Sequence, residues 1–487
     1  MSTLKEKLIS HLAAMDLQLD MQLSTGKTLL QWFEPLLTSI TEDGAISYLI
    51  EVNERYRASP LASSIEWLDA AGLLPLDVLE IMQDKLLYLR DNNVEEDKHP
   101  ANDRKFDEDR LGWSLGEGVS VWSTSMALLA LLDRHGIWEK NKEAIKDSIL
   151  WLIKQRDVHK KGWSYQLHDN CEVNVVMTSL ALRALSKFQL LEADFSLSSE
   201  DERNILIAIN NGVSYLQETH SVDKKKGFSY WQFGNVPNCT ATTWALLALD
   251  NISRIAGIEP ELISFYNSVK RNCIRFIVSC IPKDVSHWPD EQIVFEGGAK
   301  YNKQKNYQSF CVTLLPQLFS LGLSPYHPKV INQMHWVIRN PSEWKIANYD
   351  RRYICAFTHA MVVSGIVKWL VHIGKTNSAF ILKEPDDKKS KIINRTFGFN
   401  SLNDSPVQLV LNRRIKTGIL ILVLLFLAFF FGKCTFAFVQ RLIKKLVSLW
   451  SSSSHDITVN VIASFVYAAL LAVSALILKK IRAFFRR

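Results

Sequence analysis

Residues 161–185 read KGWSYQLHDNCEVNVVMTSLALRAL and join a Gly-aromatic-Ser turn to an apolar segment of the form T-x-x-A-L-x-A-L. The same two features occur again at 112–131 and at 227–249, where the apolar segments read TSMALLAL and TTWALLAL. The three turns are Gly112-Trp113-Ser114, Gly162-Trp163-Ser164 and Gly227-Phe228-Ser229. Three copies of an eight-residue pattern, each behind the same kind of turn, indicate an internal structural repeat.

The repeated segment predicts a helix that is buried on most of its sides. Thr178, Ala181 and Leu182 are three or four residues apart and share one helical face with Leu185. The alanines let neighbouring helices approach closely. An outer, more polar helix is predicted before each copy. We therefore predict an all-α fold, an α/α toroid over residues 1–375 with its clear repeats at about 85–370. Its inner helices are expected near 120–133, 174–187 and 239–252.

The flanking sequence reads as further helices. Apolar residues recur at helical spacing through 1–95, Thr41 with two acidic residues predicts the start of a helix through Tyr56, and Ser59-Pro60 opens another that ends at Gly72. We find no alternating run in 1–95 that predicts a sheet. Weaker copies of the helix pair are expected around 276–318 and 336–370.

The C-terminal part differs in composition from the rest. Residues 376–487 hold 17 Lys and Arg against 5 Asp and Glu, whereas the preceding residues hold 40 against 45. We interpret 376–414 as a linker and 415–487 as a membrane hairpin, because 417–439 and 459–478 are apolar over the roughly 20 residues that span a bilayer. Basic residues flank both spans, which predicts a two-span membrane protein with its toroid in the cytoplasm and membrane lipid as a partner.

Motifs and composition argue against nucleic-acid binding and against a disulfide-stabilised fold. No nucleic-acid-binding motif is present, and the basic charge is confined to the C-terminal part, so no nucleic-acid partner is expected. Seven cysteines without a C-x-x-C pair predict reduced thiols rather than a disulfide framework. We expect neither a bound metal nor a cofactor.

The repeats resemble a known family. The units KKGWSY at 160–165 and KKGFSYWQ at 225–232, together with the T-x-x-A-L-x-A-L helices, are similar to the toroid repeats of squalene-hopene cyclases and other terpenoid cyclases. They resemble equally the β subunits of protein prenyltransferases. The resemblance covers roughly residues 60–370 and implies an isoprenoid or other apolar ligand.

Each of these activities needs groups that the chain lacks in the expected form. The resemblance to cyclases implies a D-x-D-D acid, but the corresponding loop offers Glu172, with His168 and Asp169 nearby, as the best catalytic candidates. The acidic cluster at 106–110 precedes the Gly-Trp turn and is interpreted as a solvated loop. The resemblance to prenyltransferases implies three zinc ligands, and those positions hold Lys225, Gly227 and Gln308.

Aromatic side chains are the other candidate binding groups, since their faces can stabilise a cation or hold an apolar chain. The candidates are Trp163, Tyr165, Tyr230, Trp231 and Trp244. Three hypotheses follow: a membrane-bound isoprenoid cyclase or prenyl-processing enzyme, a membrane-anchored, catalytically degenerate cyclase-like module that binds a ligand or partner, and a membrane-perturbing effector with the toroid as its sensor. The second is favoured. A protein partner or a homo-oligomer formed through the hairpin is also expected.

Overall fold

All three copies of the repeated segment are helical in the computed structural model of the protein. The structure describes residues 3–14, 28–50, 58–92, 111–113, 119–132, 137–165, 172–191, 195–296, 305–344 and 355–373. These residues belong to one compact unit, Met1–Gln408, and a second unit, Leu409–Arg487, lies outside them. The predicted linker at 376–414 is also outside the described residues and stays a prediction.

Most of the described residues are helical. The helices are α1 (Leu4–Ala14), α2 (Leu29–Ser39), α3 (Ala58–Ala70), α4 (Leu76–Asn92), α5 (Val121–Leu131), α6 (Lys142–Lys154), α7 (Val175–Leu190), α8 (Ser199–Glu218), α9 (Cys239–Ile252), α10 (Pro260–Cys280), α11 (Pro328–Arg339) and α12 (Ala356–Ile373). Three segments are 3₁₀ helices, Ile137–Asn141, Cys311–Leu321 and Pro341–Glu343. The strands are β1 (His220–Asp223), β2 (Phe228–Phe233), β3 (Val236–Asn238), β4 (Glu291–Glu296) and β5 (Lys305–Ser309).

Six inner segments contact one another in a closed series. α3 packs on α5, α5 on α7 and α7 on α9. The 3₁₀ helix Cys311–Leu321 packs between α9 and α12, and α12 returns to α3. The outer helices α4, α6, α8 and α10 lie against the inner helices beside them. Because the first and last inner segments touch, these elements enclose a common interior, in the toroid-like arrangement that the repeats predict.

The predicted inner helices agree with α5, α7 and α9 to within three residues at each end. The predicted helix from Thr41 to Tyr56 is wrong in its first part, because Thr41 instead closes a turn in which its hydroxyl accepts the backbone N–H of Ala45 at 2.9 Å. Residue Leu49 then pairs with Cys355 as an isolated bridge. Short Asx- and Thr-type turns of this kind compete with helix formation, since the side chain offers the backbone another partner.

The expectation of an all-α fold holds for the ring but not for its loops. Strands β1, β2 and β3 form an antiparallel sheet, and β4 pairs with β5 in an antiparallel hairpin. The β2–β3 connection is the pair Gly234-Asn235, with φ of 55° and 65°. Positive φ at both central residues is the requirement of a tight type I′ hairpin, which Gly and Asn meet at least cost.

A threonine–tryptophan clasp joins each of the three inner helices to the outer helix before it. In the first copy the backbone N–H of Trp113 donates to Thr124 Oγ1 at 3.0 Å, and the indole N–H donates to the Leu86 carbonyl of α4 at 2.9 Å. In the second clasp, Trp163 donates its backbone N–H to Thr178 Oγ1 and its indole N–H to the Leu152 carbonyl of α6. In the third, Trp231 donates in the same way to Thr242 Oγ1 and to the Leu216 carbonyl of α8. The repeated threonine is therefore a hydrogen-bond acceptor at a buried joint.

The residue four positions before each clasp threonine caps the inner helix. The side chains of Ser120, Asn174 and Asn238 accept the backbone N–H three residues further on. Such caps satisfy amide groups that have no partner within the helix. The full repeat is thus Ser or Asn at the cap, Thr at the clasp, and the Ala-Leu pattern behind them.

The third copy corrects the sequence alignment of the turns. The residue that occupies the place of Trp113 and Trp163 is Trp231, not Phe228, which lies three positions earlier and packs against Phe276 with ring centroids 6.2 Å apart. The chain between Gly227 and Trp231 is extended as β2, so the turn and the clasp tryptophan are further apart than in the first two copies.

A fourth joint replaces threonine with histidine. The Trp344 indole N–H donates to the Val337 carbonyl of α11 at 2.7 Å, as in the other clasps. Position four of α12 is His359, whose ring lies edge-on to Trp344 at 5.4 Å and whose Nε2–H donates to the Trp32 carbonyl at 3.1 Å. This joint ties α2 and α11 to the last inner helix.

Replacing Thr178 with valine is expected to lower the free energy of unfolding by about 1–3 kcal/mol, because the buried N–H of Trp163 loses its acceptor. Urea denaturation measures the change. The matched control is Thr38→Val, since Thr38 is exposed and its hydroxyl bonds only to a carbonyl of its own helix. Equal effects of the two substitutions would show that the clasp does not stabilise the fold.

Acid is expected to destabilise the fourth joint. Burial lowers the pKa of His359 to about 4, below the value of about 6.5 in an unfolded chain. The unfolded state therefore binds more protons between these values, so stability is lost as the pH falls from 6.5 to 4. His359→Gln should reduce this loss, measured as thermal stability against pH, whereas His159→Gln at an exposed site should leave it unchanged. Part of the slope will remain, because burial also lowers the pKa of His327 and His335 to about 4.

The prediction of a membrane-spanning protein is corrected by the structure. Among the residues that it describes, no helix combines the length and apolar character needed to cross a bilayer. The predicted spans at 417–439 and 459–478 lie outside those residues.

Candidate functional site

Charged side chains meet in the interior of the ring, from helices far apart in sequence. Arg183 of α7 donates through Nη2 to Glu66 Oε1 of α3 at 2.8 Å. Lys187 lies one helical turn beyond, 3.5 Å from Glu66 Oε2, and donates to the Leu129 carbonyl of α5 at 2.6 Å. Lys368 of α12 contributes a third positive charge beside Trp67, with its Nζ 6.0 Å from the ring centroid. Three cations thus surround one carboxylate.

Two indole rings hold the Arg183 guanidinium. Its Cζ lies 4.9 Å from the centroid of Trp244 and 5.9 Å from that of Trp67, and the two rings are 5.8 Å apart. The side chain of Arg183 is only 9% exposed. Cation–π contacts of this kind stabilise a charge that burial has removed from water.

Several polar atoms around this cluster are buried without a hydrogen-bond partner. Nε and Nη1 of Arg183 have none, and neither has Nε1 of Trp67. Five side-chain hydroxyls on the described inner helices are also buried without a hydrogen-bond partner: those of Ser63, Ser64, Ser125, Thr243 and Ser364. Buried donors are nearly always paired in native proteins, so this interior carries unused hydrogen-bonding capacity.

The electrostatics of the cluster favour the charged form of Glu66 and oppose the charges of Lys368 and Arg183. Burial by itself raises the pKa of Glu66, but Lys187, Arg183 and Lys368 outweigh it and the net pKa is lowered. Burial lowers the pKa of Lys368, which Glu66 opposes and Arg183 reinforces. Burial also lowers the pKa of Arg183, but a guanidinium stays protonated at neutral pH. The cluster thus sets one carboxylate against three basic side chains.

A cavity opens next to the cluster. It has a volume of about 10 Å³, room for about one water molecule. Its lining residues are Trp244, Ile293, Phe310, Thr313, Phe357, Thr358 and Met361. Trp244 lines the cavity and stacks on Arg183, so one indole separates the apolar space from the buried cation. Trp122 extends the aromatic wall, 5.9 Å from Phe357.

Of the three catalytic residues predicted from the sequence, the structure describes only Glu172. Glu172 is exposed, just before the cap of α7, and His168 and Asp169 lie outside the described residues. The electrostatic influence of Glu172 is on Tyr215, whose pKa is raised by burial and secondarily by this carboxylate. The positions compared with zinc ligands, Lys225 and Gly227, fall in the turn between β1 and β2.

The predicted aromatic residues divide into two groups. Trp163 and Trp231 are clasp residues packed between helices, and Tyr230 packs against Phe276 at 4.9 Å. Tyr165 is buried, and its carbonyl accepts the N–H of Val121 at the start of α5. Trp244 alone of these five lines the described cavity.

Sequence reasoning missed the charged residues of the interior. The available signal was Arg183, a charged residue inside the apolar T-x-x-A-L-x-A-L segment. A buried charge requires a partner, so Arg183 pointed to an acidic residue on a neighbouring inner helix. Nothing in the local sequence around Glu66 or Lys368 indicates that these residues lie beside Arg183.

Comparison with solved structures finds several matching chains. No protein-family model and no curated protein sequence matches the chain. One of the matching structures is an inactive variant of the alpha-1,6-mannanase GH76A of Salegentibacter sp. HEL1_6 in complex with alpha-1,6-mannotriose. The identity is 14%, the match covers 70% of this chain and 98% of that chain, and the TM-score is 0.42.

These findings correct the family expectation. The structural match is a mannanase and not a terpenoid cyclase or a prenyltransferase, and no family model supports either of the latter. The interpretation as a membrane-anchored cyclase-like module with an isoprenoid ligand is therefore contradicted. At this TM-score the match does not assign mannanase activity to the chain either.

Replacing Glu66 with glutamine is expected to lower the free energy of unfolding by about 3–5 kcal/mol, because the buried cations lose their counter-charge. The pKa of Glu66 is lowered in the folded state, so its contribution is present above the unfolded value of about 4 and is lost at lower pH. Urea denaturation at pH 7 and pH 3 measures both effects.

The control is Glu218→Gln, which breaks the exposed pair with Lys161 at 2.8 Å. Exposed pairs contribute about 0–1 kcal/mol. If Glu66→Gln is as mild as this control at pH 7, the interior cluster is not an electrostatic unit.

Proposed function

We propose that the protein binds a small anionic molecule in the interior of its helical ring. The observation that carries the proposal is Arg183, which is buried, stacked by Trp67 and Trp244, and has two nitrogens without a partner. A guanidinium presents its donors in a planar fork that matches a carboxylate or phosphate. Only Nη2 is used by Glu66, so Nε and Nη1 are the donors available to a ligand.

The charge balance supports the same ligand class. Glu66 offsets one of three positive charges, and the other buried acid of an inner helix, Asp250, is bonded to Tyr266 at 2.5 Å and paired with Arg254 and Lys270. Lys368 makes no hydrogen bond through its ammonium group to the described residues and is half-buried. An anion near Arg183 and Lys368 would neutralise charge that burial makes unfavourable.

The cavity supports binding rather than acid–base chemistry. Its described lining has hydroxyl and apolar side chains and holds no carboxylate, histidine or lysine. A general acid or base must lie within hydrogen-bonding reach of the reacting group. The ring interior is therefore proposed as a recognition site.

The expected result is that phenyl phosphate binds the full-length protein in isothermal titration calorimetry and that neutral benzyl alcohol does not. Arg183→Met and Lys368→Met should each weaken phenyl phosphate at least about tenfold, since a hydrogen bond to a charged group contributes about 1.5–3 kcal/mol. Lys368→Met keeps the Arg183–Glu66 pair and so tests the charge without removing that contact.

Lys161→Met is the matched control, because Lys161 is exposed and pairs with Glu218 on the outer surface. It should leave the affinity unchanged. The proposal is wrong if no anion binds, or if Lys161→Met and Lys368→Met weaken binding equally.

A further inference from the structure

Two cysteines meet where α9 begins and α10 ends. Cys239 is the first residue of α9 and Cys280 is the last residue of α10, and the two helices pack against each other. Neighbouring helices joined by a short loop run antiparallel, so the start of one and the end of the next lie at the same end of the pair. The Cys239 thiol donates a hydrogen bond to the Cys280 sulfur. Both thiols are free.

The two thiols differ in their access to solvent. Cys280 is exposed, whereas Cys239 is fully buried. A third thiol, Cys311, is close enough to influence Cys239 electrostatically and is also buried. A reagent in solution therefore reaches Cys280 first, and the thiol bonded to it is Cys239.

Lys329 places a positive charge beside Cys280. Its Nζ donates to the carbonyls of Val278 and Ile281, at 2.8 Å each. It also lies 3.4 Å from the carbonyl of Ser279. These carbonyls flank Cys280 at the C-terminus of α10, where a cation is favoured. The ammonium group is thus fixed close to an exposed thiol.

The groups around Cys280 favour its thiolate. The hydrogen bond from Cys239 is the largest influence that lowers the pKa of Cys280. Ser279 and Lys329 act in the same direction, and desolvation and Glu291 oppose them. The same hydrogen bond and burial raise the pKa of Cys239, so this thiol keeps its proton. Because the thiolate is the nucleophilic form of cysteine, Cys280 is the reactive member of the pair.

We propose that Cys280 is a peroxide-reactive thiol whose oxidation is resolved by a disulfide with Cys239. The Cys280 sulfur attacks one peroxide oxygen and the O–O bond breaks, which gives a sulfenic acid and a water that carries the proton lost by the thiol. The Cys239 sulfur then attacks the Cys280 sulfur, the S–O bond breaks, and the Cys239 proton leaves with the hydroxide as water. Two thiols are oxidised by two electrons, and one peroxide is reduced to two waters. Neither cysteine is part of the proposed anion site, so failure of that site would leave this chemistry unaffected.

Peptide mapping of the full-length protein tests the disulfide. Trypsin separates the cysteines of this region into different peptides: Cys239 in 227–254, Cys273 in 272–275 and Cys280 in 276–283. The protein is treated with hydrogen peroxide, and its remaining thiols are capped with N-ethylmaleimide after unfolding. The peptides of Cys239 and Cys280 should then be joined and two hydrogen atoms lighter than their sum. The peptide of Cys273 should carry only the maleimide, because burial raises the pKa of this thiol.

Variants separate the roles of the three residues. Cys239→Ala should abolish the linked peptide and leave a sulfenic acid on Cys280, which dimedone traps. Cys280→Ala should prevent oxidation of Cys239, and it changes an exposed residue, so it serves if the buried substitution disturbs folding. Lys329→Met should slow the reaction of Cys280 with peroxide at least about threefold, because less of the thiol is ionised. Lys329→Arg keeps the charge and should restore the rate.

The matched control is Cys273→Ala, which removes a buried thiol of the same helix and should leave the linked peptide unchanged. Three results would overturn the assignment. Cys280 could stay reduced under peroxide, it could link to a cysteine other than Cys239, or it could accumulate as sulfinic acid in the unsubstituted protein without the linked peptide.

Discussion

The hydrogen bond from a tryptophan backbone N–H to a helix threonine is the contact on which the ring depends. In three copies the same tryptophan also donates its indole N–H to the preceding outer helix, at 2.7–2.9 Å. One residue thus fixes an inner helix relative to an outer one through two buried bonds. A buried donor without an acceptor costs about 1–3 kcal/mol, so each joint has one favourable arrangement. Repetition of that arrangement carries the inner helices around until α12 meets α3.

The tight joint also explains the glycines before the first two clasp tryptophans. A Cβ at Gly112 or Gly162 would lie 2.7 Å from Oγ1 of the clasp threonine. In the third copy Tyr230 occupies the preceding position, because the chain reaches Trp231 as an extended strand with a different approach. The sequence similarity of Gly-aromatic-Ser turns therefore hides a difference in which aromatic residue does the joining.

The helical part of the fold could be predicted from the sequence because its cause is local. The T-x-x-A-L-x-A-L pattern sets one buried face at helical spacing, and α5, α7 and α9 follow it closely. The strands were missed because β1 to β3 are short and depend on pairing across the loop, with the turn at Gly234-Asn235 as their local signal. The interior cluster could not be predicted, since Glu66 and Arg183 are 117 residues apart and meet only when the ring closes.

The residues that hold the helices together and the charged residues of the proposed site lie at different places along the inner helices. The caps and clasps lie at the first four residues of the inner helices, at Ser120 and Thr124 or Asn174 and Thr178. Arg183 lies five residues beyond Thr178, and Lys368 lies nine residues beyond His359, so both are past the caps and clasps. A pair of buried charges seldom improves stability over apolar residues of similar volume. A single carboxylate with three cations is less favourable still, because one negative charge cannot balance three positive ones. The proposed anion at Arg183 and Lys368 would supply the negative charge that this arrangement lacks.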